Sequence, residues 1–246
     1  MTTPRKENWA EIHDPEASWR KKIVGEISDL FIVPRYLRFF YGHFGRETQA
    51  AFFEIGSGNG DMTKAILSAN QGQIGTYVVS EYFAEGVQWL RRIGLDAIQA
   101  DAERLPLADA SFDVTVEFDV MHHVSDPRAM AREMMRVARG RCLLTESNGL
   151  SIFRKLKELT PGHRAAGEQS FTPRRWRSFF EGHAGYRLTR FEIFPFLFPF
   201  KVPHSLLPAL IWWNRVVEKI PLLRWQCSSV AIYLEYDRVQ ESNRTS

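Results

Sequence analysis

Apolar positions along the chain switch between a strand period of two and a helix period of three to four. Phe52, Phe53 and Ile55 form a short apolar run suited to a buried parallel strand, and Met62–Ala69 resumes with good helix formers. Ile74–Ser80 reads as a second strand that ends at Glu81. Beyond it Phe83, Val87 and Leu90 share one face of an amphipathic helix, with Trp89 beside them. Leu95–Ala100, Val114–Asp119 and Arg141–Glu146 supply three more strands, and Pro127–Ala138 a helix with Met130, Met134 and Val137 facing inward. A helix over Phe171–His183 then precedes strands at Tyr186–Phe194 and Ser228–Tyr236. Strand alternating with helix is the pattern of an α/β fold with a parallel sheet.

Two stretches stand outside this alternation. Trp19, Ile23, Ile27 and Leu30 have near-helical spacing, Pro34 reads as a break, and an aromatic run comes after it in Tyr36, Phe39, Phe40, Tyr41 and Phe44. Two helices are expected there, with the aromatics packed on the sheet or touching a substrate. Phe194–Trp213 is dense in apolar residues yet holds Pro195, Pro199, Pro203 and Pro208, with Lys201 and His204. A spanning helix needs about 20 uninterrupted apolar residues, so this run is no membrane span. It is either a lid over a greasy substrate or an interfacial contact with a bilayer, with Leu206, Leu210, Trp213 and Val217 on one face of a short helix.

Composition narrows the class. At 246 residues and 44% hydrophobic the chain suits one α/β domain: an N-terminal helical cap over 1–47, a core over 48–148, and a substrate-side half over 149–246 whose hydrophobic insert spans 194–223. A net charge of +3 is too small to argue for nucleic acid. Residues 153–190 are locally basic, with nine Lys/Arg against three Glu; this is either a solvated helix face or a site for anionic lipid, a phosphorylated substrate or an acidic carrier. Cys142 and Cys227, far apart and in predicted strands, read as buried thiols in a reducing compartment. The first 16 residues have no apolar core of a signal peptide, which makes a cytoplasmic location the expectation.

The chemistry concentrates at AFFEIGSGNGD, Ala51–Asp61, where glycines stand at every second position between strand and helix. Glycines permit positive φ and close backbone approach, and the helix start offers unpaired N–H groups, so a small polar ligand is expected on this turn. A dinucleotide fingerprint would need a third glycine where Asp61 stands. The E-x-G-x-G-x-G pattern from Glu54 to Gly60 instead resembles the first motif of the class I S-adenosylmethionine-dependent methyltransferases. The LPLADASFD passage before the fourth strand resembles their broad small-molecule and ubiquinone-type group.

That resemblance implies a doubly wound, seven-stranded, mostly parallel sheet with an antiparallel last strand, and S-adenosylmethionine as cofactor. Gly56, Gly58 and Gly60 would admit the cofactor, Glu54 would assist at its methionine end, Glu81 would hold the ribose hydroxyls, and Asp101 and Ala102 would read adenine. Ser57, Tyr82 and Phe118 complete the expected binding set. His122 and His123 come after the fourth strand, where a methyl acceptor would approach, and are the candidates for a base or for an architectural role. No metal site is expected, because His122, His123 and Asp126 lack ligand spacing. Neither an N/D-P-P-Y signature nor a Pro-Cys nucleophile occurs, so nucleic acid is not the expected substrate. A small hydrophobic or lipid-linked acceptor remains, with peripheral membrane contact through the insert. The rival expectation is a non-catalytic module that keeps the fold for membrane or partner binding.

Overall fold

Every other residue of a strand points to the same face, and here both faces are apolar, so the sheet must be covered on both sides. The computed structural model describes residues 33–45, 49–69, 74–159, 170–196, 204–227 and 229–239. Its strands are β1 (Phe52–Ile55), β2 (Tyr77–Glu81), β3 (Asp96–Gln99), β4 (Phe112–Phe118), β5 (Ala138–Ser147), β6 (Tyr186–Phe196) and β7 (Ser229–Arg238). They form one seven-stranded sheet in the order β3-β2-β1-β4-β5-β7-β6. Pairing is parallel from β3 to β5, and β7 runs antiparallel to both β5 and β6. The doubly wound, mostly parallel sheet expected from sequence is therefore present, with its reversed strand inserted next to the edge.

The helices α1 (Val33–Phe44), α2 (Asp61–Ala69) and α3 (Ala84–Arg92) lie on one face. Phe40 and Ile66 pack there with Phe52, Val114 and Val116, while Val87 and Leu90 pack with Val79 and Ala97. On the other face α4 (Pro127–Val137) and α6 (Pro173–Phe180) bring Met130, Met134, Trp176 and Phe179 against Phe53, Ile55 and Leu144. Phe52 and Phe53 thus serve opposite cores, which is why this short strand is buried at every position. Three further helices, α5 (Ile152–Glu158), α7 (Leu207–Lys219) and α8 (Pro221–Arg224), occupy the second half of the chain.

Several expectations change in detail. Pro34 lies in the first turn of α1, where its missing N–H has no partner to lose, and the aromatic run after it is helical as expected; the residues before 33 lie outside the described ones. Tyr36 and Phe40 are buried, so the aromatic run is largely packing. Cys227 precedes β7 and does not sit in a strand, while Cys142 does lie in β5; both are buried. Leu206 and Trp213 are exposed and Val217 is buried, so the apolar face expected along α7 is covered only at its Val217 end. The predicted helix over 18–30, His163, and the prolines at 199 and 203 lie outside the described residues.

Trp176 anchors the second core: it is fully buried and its Nε1–H donates to the Ser147 carbonyl at 3.0 Å. Trp176→Ala is expected to cost about 3–5 kcal/mol of stability, read from urea denaturation.

Candidate functional site

The chain leaves β1 toward β2 and leaves β4 toward β5, so adjacent β1 and β4 mark the reversal of strand order, where ligand crevices open in such sheets. Gly56 turns out of β1 with φ 67°, and a Cβ built on it would lie 2.7 Å from Val120 Cγ1. A side chain there would strain the turn and fill the gap between the two strand ends. Gly58 and Gly60 also have positive φ, at 58° and 81°. Gly60 is needed for another reason: its Cβ would meet Leu95 at 2.9 Å and Leu90 and Ile93 at 3.0 Å, so its small size lets α3 and the start of β3 pack beneath the turn.

Four adjacent strands each carry a glutamate at, or one residue before, their C-terminal end: Glu81 on β2, Glu54 on β1, Glu117 on β4 and Glu146 on β5. All four are buried. Glu81 accepts the Gly58 N–H at 3.1 Å and its neighbour Tyr82's N–H at 2.8 Å, tying the glycine turn to β2. Glu54 accepts the hydroxyls of Thr63 at 2.8 Å and Tyr77 at 2.7 Å, and Ser57 lies 2.7 Å from Thr63 in the same network. Glu54 therefore braces the turn from below. Burial pushes both carboxyls above their ordinary range, against the opposing pull of these donors.

Glu117 and Glu146 hold the turn Met121–His123. Glu117 accepts the Val120 N–H at 2.8 Å, while Glu146 accepts the His122 N–H at 3.1 Å and contacts His122 Nδ1 at 2.8 Å. Among the described residues, Glu117 Oε1 has no hydrogen-bond partner. Burial, then mutual repulsion for Glu117 and the nearby Asp119 for Glu146, drive both carboxyls well above the usual range. Asp119 adopts φ 58°, tolerated by a short polar side chain, and accepts the Tyr36 hydroxyl at 2.9 Å. Tyr36 also stacks on Phe118 with ring centroids 5.7 Å apart, so α1 closes over the end of β4.

The expected site residues fall into two groups. Gly56, Ser57, Gly58, Glu81, Phe118 and His122 surround the β1–β4 gap, whereas Asp101 and Ala102 come after β3 and Tyr82 after β2, toward the β3 side. Asp101 is exposed and its Oδ1 accepts the Glu103 N–H at 3.0 Å. His123 is exposed, its ring 4.0 Å from that of His122. Asp126 is taken up in capping α4, through Arg128 N–H. Instead Asp119, His122 and Glu146 converge, with ligating atoms within 4.8 Å of one another. Thr63, Tyr77 and Glu117 join this network although the sequence pattern does not single them out, whereas Tyr36 belongs to the aromatic run and Asp119 ends the expected fourth strand; the visible signal for Glu117 is a lone acid inside the apolar run VTVEF.

In the folded chain the paired carboxyls keep protons that the unfolded chain has already released, so their contribution to stability is present below the ordinary glutamate pKa and is lost as pH rises above it. Glu117→Gln keeps the acceptor for Val120 and removes the ionisation. It is expected to raise stability by about 1 kcal/mol near about pH 8, with the gain vanishing by about pH 4, measured as urea midpoints across that range.

Known proteins bear on this geometry. Residues 53–144 match the methyltransferase domain family. The ubiquinone/menaquinone biosynthesis C-methyltransferase of Hahella chejuensis is 31% identical over 155 residues, covering 58% of this chain and 61% of that protein. A probable S-adenosylmethionine-dependent methyltransferase of Mycobacterium tuberculosis is 45% identical over 53 residues, 22% of this chain and 19% of that one. The matched segments thus span less than two thirds of these relatives' length. Among solved structures, an S-adenosylmethionine-dependent methyltransferase from Archaeoglobus fulgidus aligns over 90% of this chain and 100% of its own with a TM-score of 0.62 and 14% identity. A methyltransferase complex with the Trm112 activator from Haloferax volcanii matches over 92% of this chain and 97% of that one, with a TM-score of 0.62 and 16% identity. With a glycine turn at the β1–β4 crevice and this sheet order, the chain has the fold of the S-adenosylmethionine-dependent methyltransferases it aligns with, and its residues 53–144 are similar to the methyltransferase domain family.

Proposed function

We propose that the chain binds S-adenosylmethionine over the Gly56–Gly60 turn and methylates a small hydrophobic or lipid-linked acceptor. Support comes chiefly from Glu81, a buried carboxylate at the end of β2 that already accepts the Gly58 N–H and stands beside the glycine turn. In this reading Glu81 takes the ribose hydroxyls and Asp101 with the Ala102 N–H reads adenine. Tyr82 and Phe118 flank the ligand, while Gly56, Ser57, Gly58 and Gly60 supply the turn it lies on. Glu54 acts on the methionine end through the turn it braces, since Thr63 and Tyr77 hold its carboxylate. Bound there, the cofactor supplies a methyl group on an already activated sulfonium, so alignment and exclusion of water carry much of the rate.

His122 is the proposed base for an acceptor hydroxyl, with His123 beside it at the mouth. In the tautomer whose Nδ1–H donates to Glu146 Oε2, which a protonated carboxyl also accepts through its carbonyl oxygen, the lone pair lies on Nε2, which would take the acceptor's proton. The apolar surround of Tyr36, Phe118 and Ile211 suits a greasy acceptor better than a charged one. In this reading the described helices α1, α5 and α7 belong to the substrate side, and contact with a cytoplasmic membrane surface is the companion proposal for the insert.

Titration calorimetry with S-adenosylmethionine, paired with label transfer from its tritiated methyl to a membrane lipid extract, tests this reading. Tight binding with turnover is expected; binding with no transfer to any lipid fraction would favour a non-catalytic module. Glu81→Ala is expected to weaken cofactor binding by about 1–3 kcal/mol, and unchanged affinity would remove its assigned role. His122→Ala is expected to lower kcat roughly 100-fold while sparing cofactor affinity, and to abolish the rise of kcat across the imidazole range.

A further inference from the structure

Outside the crevice, large apolar side chains exposed to solvent gather in one region. Ile152 (62% exposed) and Leu156 (58%) lie on α5, Trp212 (64%) and Trp213 on α7, and Leu222 (84%) and Leu223 on α8; Leu159, Ile220 and Trp225 adjoin them. The segments are joined. Ser151 Oγ donates to the Gln226 carbonyl at 2.8 Å, Ile152 N–H donates to Gln226 Oε1 at 3.1 Å, and Asn148 Nδ2 donates to the Trp225 carbonyl at 3.1 Å. Helix α8 continues from α7 through the single residue Ile220. An exposed apolar cluster of this extent marks a contact surface.

Its charge identifies the partner. Residues 152–159 and 204–227 carry six Lys and Arg (Arg154, Lys155, Lys157, Arg215, Lys219, Arg224) against two Glu, a balance of +4 in a chain whose total is +3. A second copy of the chain placed on this face would set two such basic surfaces against each other, which repels. Interfaces between proteins also deplete lysine at their centre. Tryptophan and leucine interleaved with Lys and Arg on short helices is instead the composition that lies in the boundary layer of an anionic bilayer. Among the described residues no helix is long and apolar enough to cross a membrane, so the contact is with its surface.

We propose that α5, α7 and α8 dock the protein on a bilayer containing anionic lipid, with Ile152, Leu156, Trp212, Trp213 and Leu222 entering the boundary layer and Arg215, Lys219 and Arg224 meeting the headgroups. The proposal deepens the reading of a lipid-linked acceptor and rests on it for its purpose. Helix α7 joins the two. Its Ile211 packs on the cluster of Tyr36 and Ala231 that Phe39 and Phe118 also join, on the side assigned above to the acceptor, while the adjoining Trp212 and Trp213 are exposed. One helix is thus both the roof of the site and the contact with the surface from which the acceptor comes.

Flotation of the full chain with vesicles of phosphatidylcholine, alone or mixed with phosphatidylglycerol, tests the surface. The wild type is expected to float with the mixed vesicles and to stay behind with phosphatidylcholine alone at physiological salt. Trp212→Ser with Trp213→Ser, and separately Arg215→Glu with Lys219→Glu, are each expected to lower the bound fraction at least about tenfold. Both pairs lie outside the cofactor site, so calorimetry with S-adenosylhomocysteine should give wild-type affinity and would confirm folding. No flotation of the wild type, or variants that float as it does, would overturn the proposal; so would a concentration-dependent dimer that the tryptophan pair dissolves. Flotation without cofactor affinity would instead remove the methyl-transfer reading and leave the docking surface standing.

Discussion

The structure depends on a row of four buried carboxylates across the C-terminal ends of β2, β1, β4 and β5. Four such charges removed from water and set along adjacent strands would be prohibitive without donors. The donors are therefore built in: the Gly58, Tyr82, Val120 and His122 amides and the Thr63 and Tyr77 hydroxyls. Each glutamate thereby fixes a turn next to its strand. Glu54 and Glu81 set the glycine turn, and Glu117 and Glu146 set the turn that carries His122. The walls of the crevice are positioned by side chains that never need to leave the sheet.

That arrangement also gives the crevice its sign. Burial pushes these carboxyls above their ordinary range, and a positively charged ligand would draw them back toward ionisation, so the site favours cations over anions. A sulfonium with an amino group matches such a field, whereas a pyrophosphate does not. The Gly56 turn adds shape to charge, because any side chain at that position would occupy the space beside Val120.

Much of this is legible in the sequence because it is local. Apolar runs ending in an acid mark the strand ends, alternate glycines mark the turn, and helix periods mark the cover. The illegible part depends on contacts between distant positions. Tyr36 and Asp119 meet across 83 residues, and His122 and Glu146 across 24, and nothing in either local pattern announces the partner. The outward turn of Trp213 is hidden for a related reason. Apolar residues occur all around α7, so periodicity does not say which ones the sheet takes, and packing of Ile211 and Val217 decides it.

The most direct measurement is a crystal structure of the chain grown with S-adenosylhomocysteine. Ligand density is expected along the Gly56–Gly60 turn, with ribose hydroxyls on the Glu81 carboxylate and the sulfur turned toward His122. Density elsewhere on the protein, or a β1–β4 gap closed by the Val120 side chain in the presence of saturating ligand, would contradict a cofactor site built by the four glutamates.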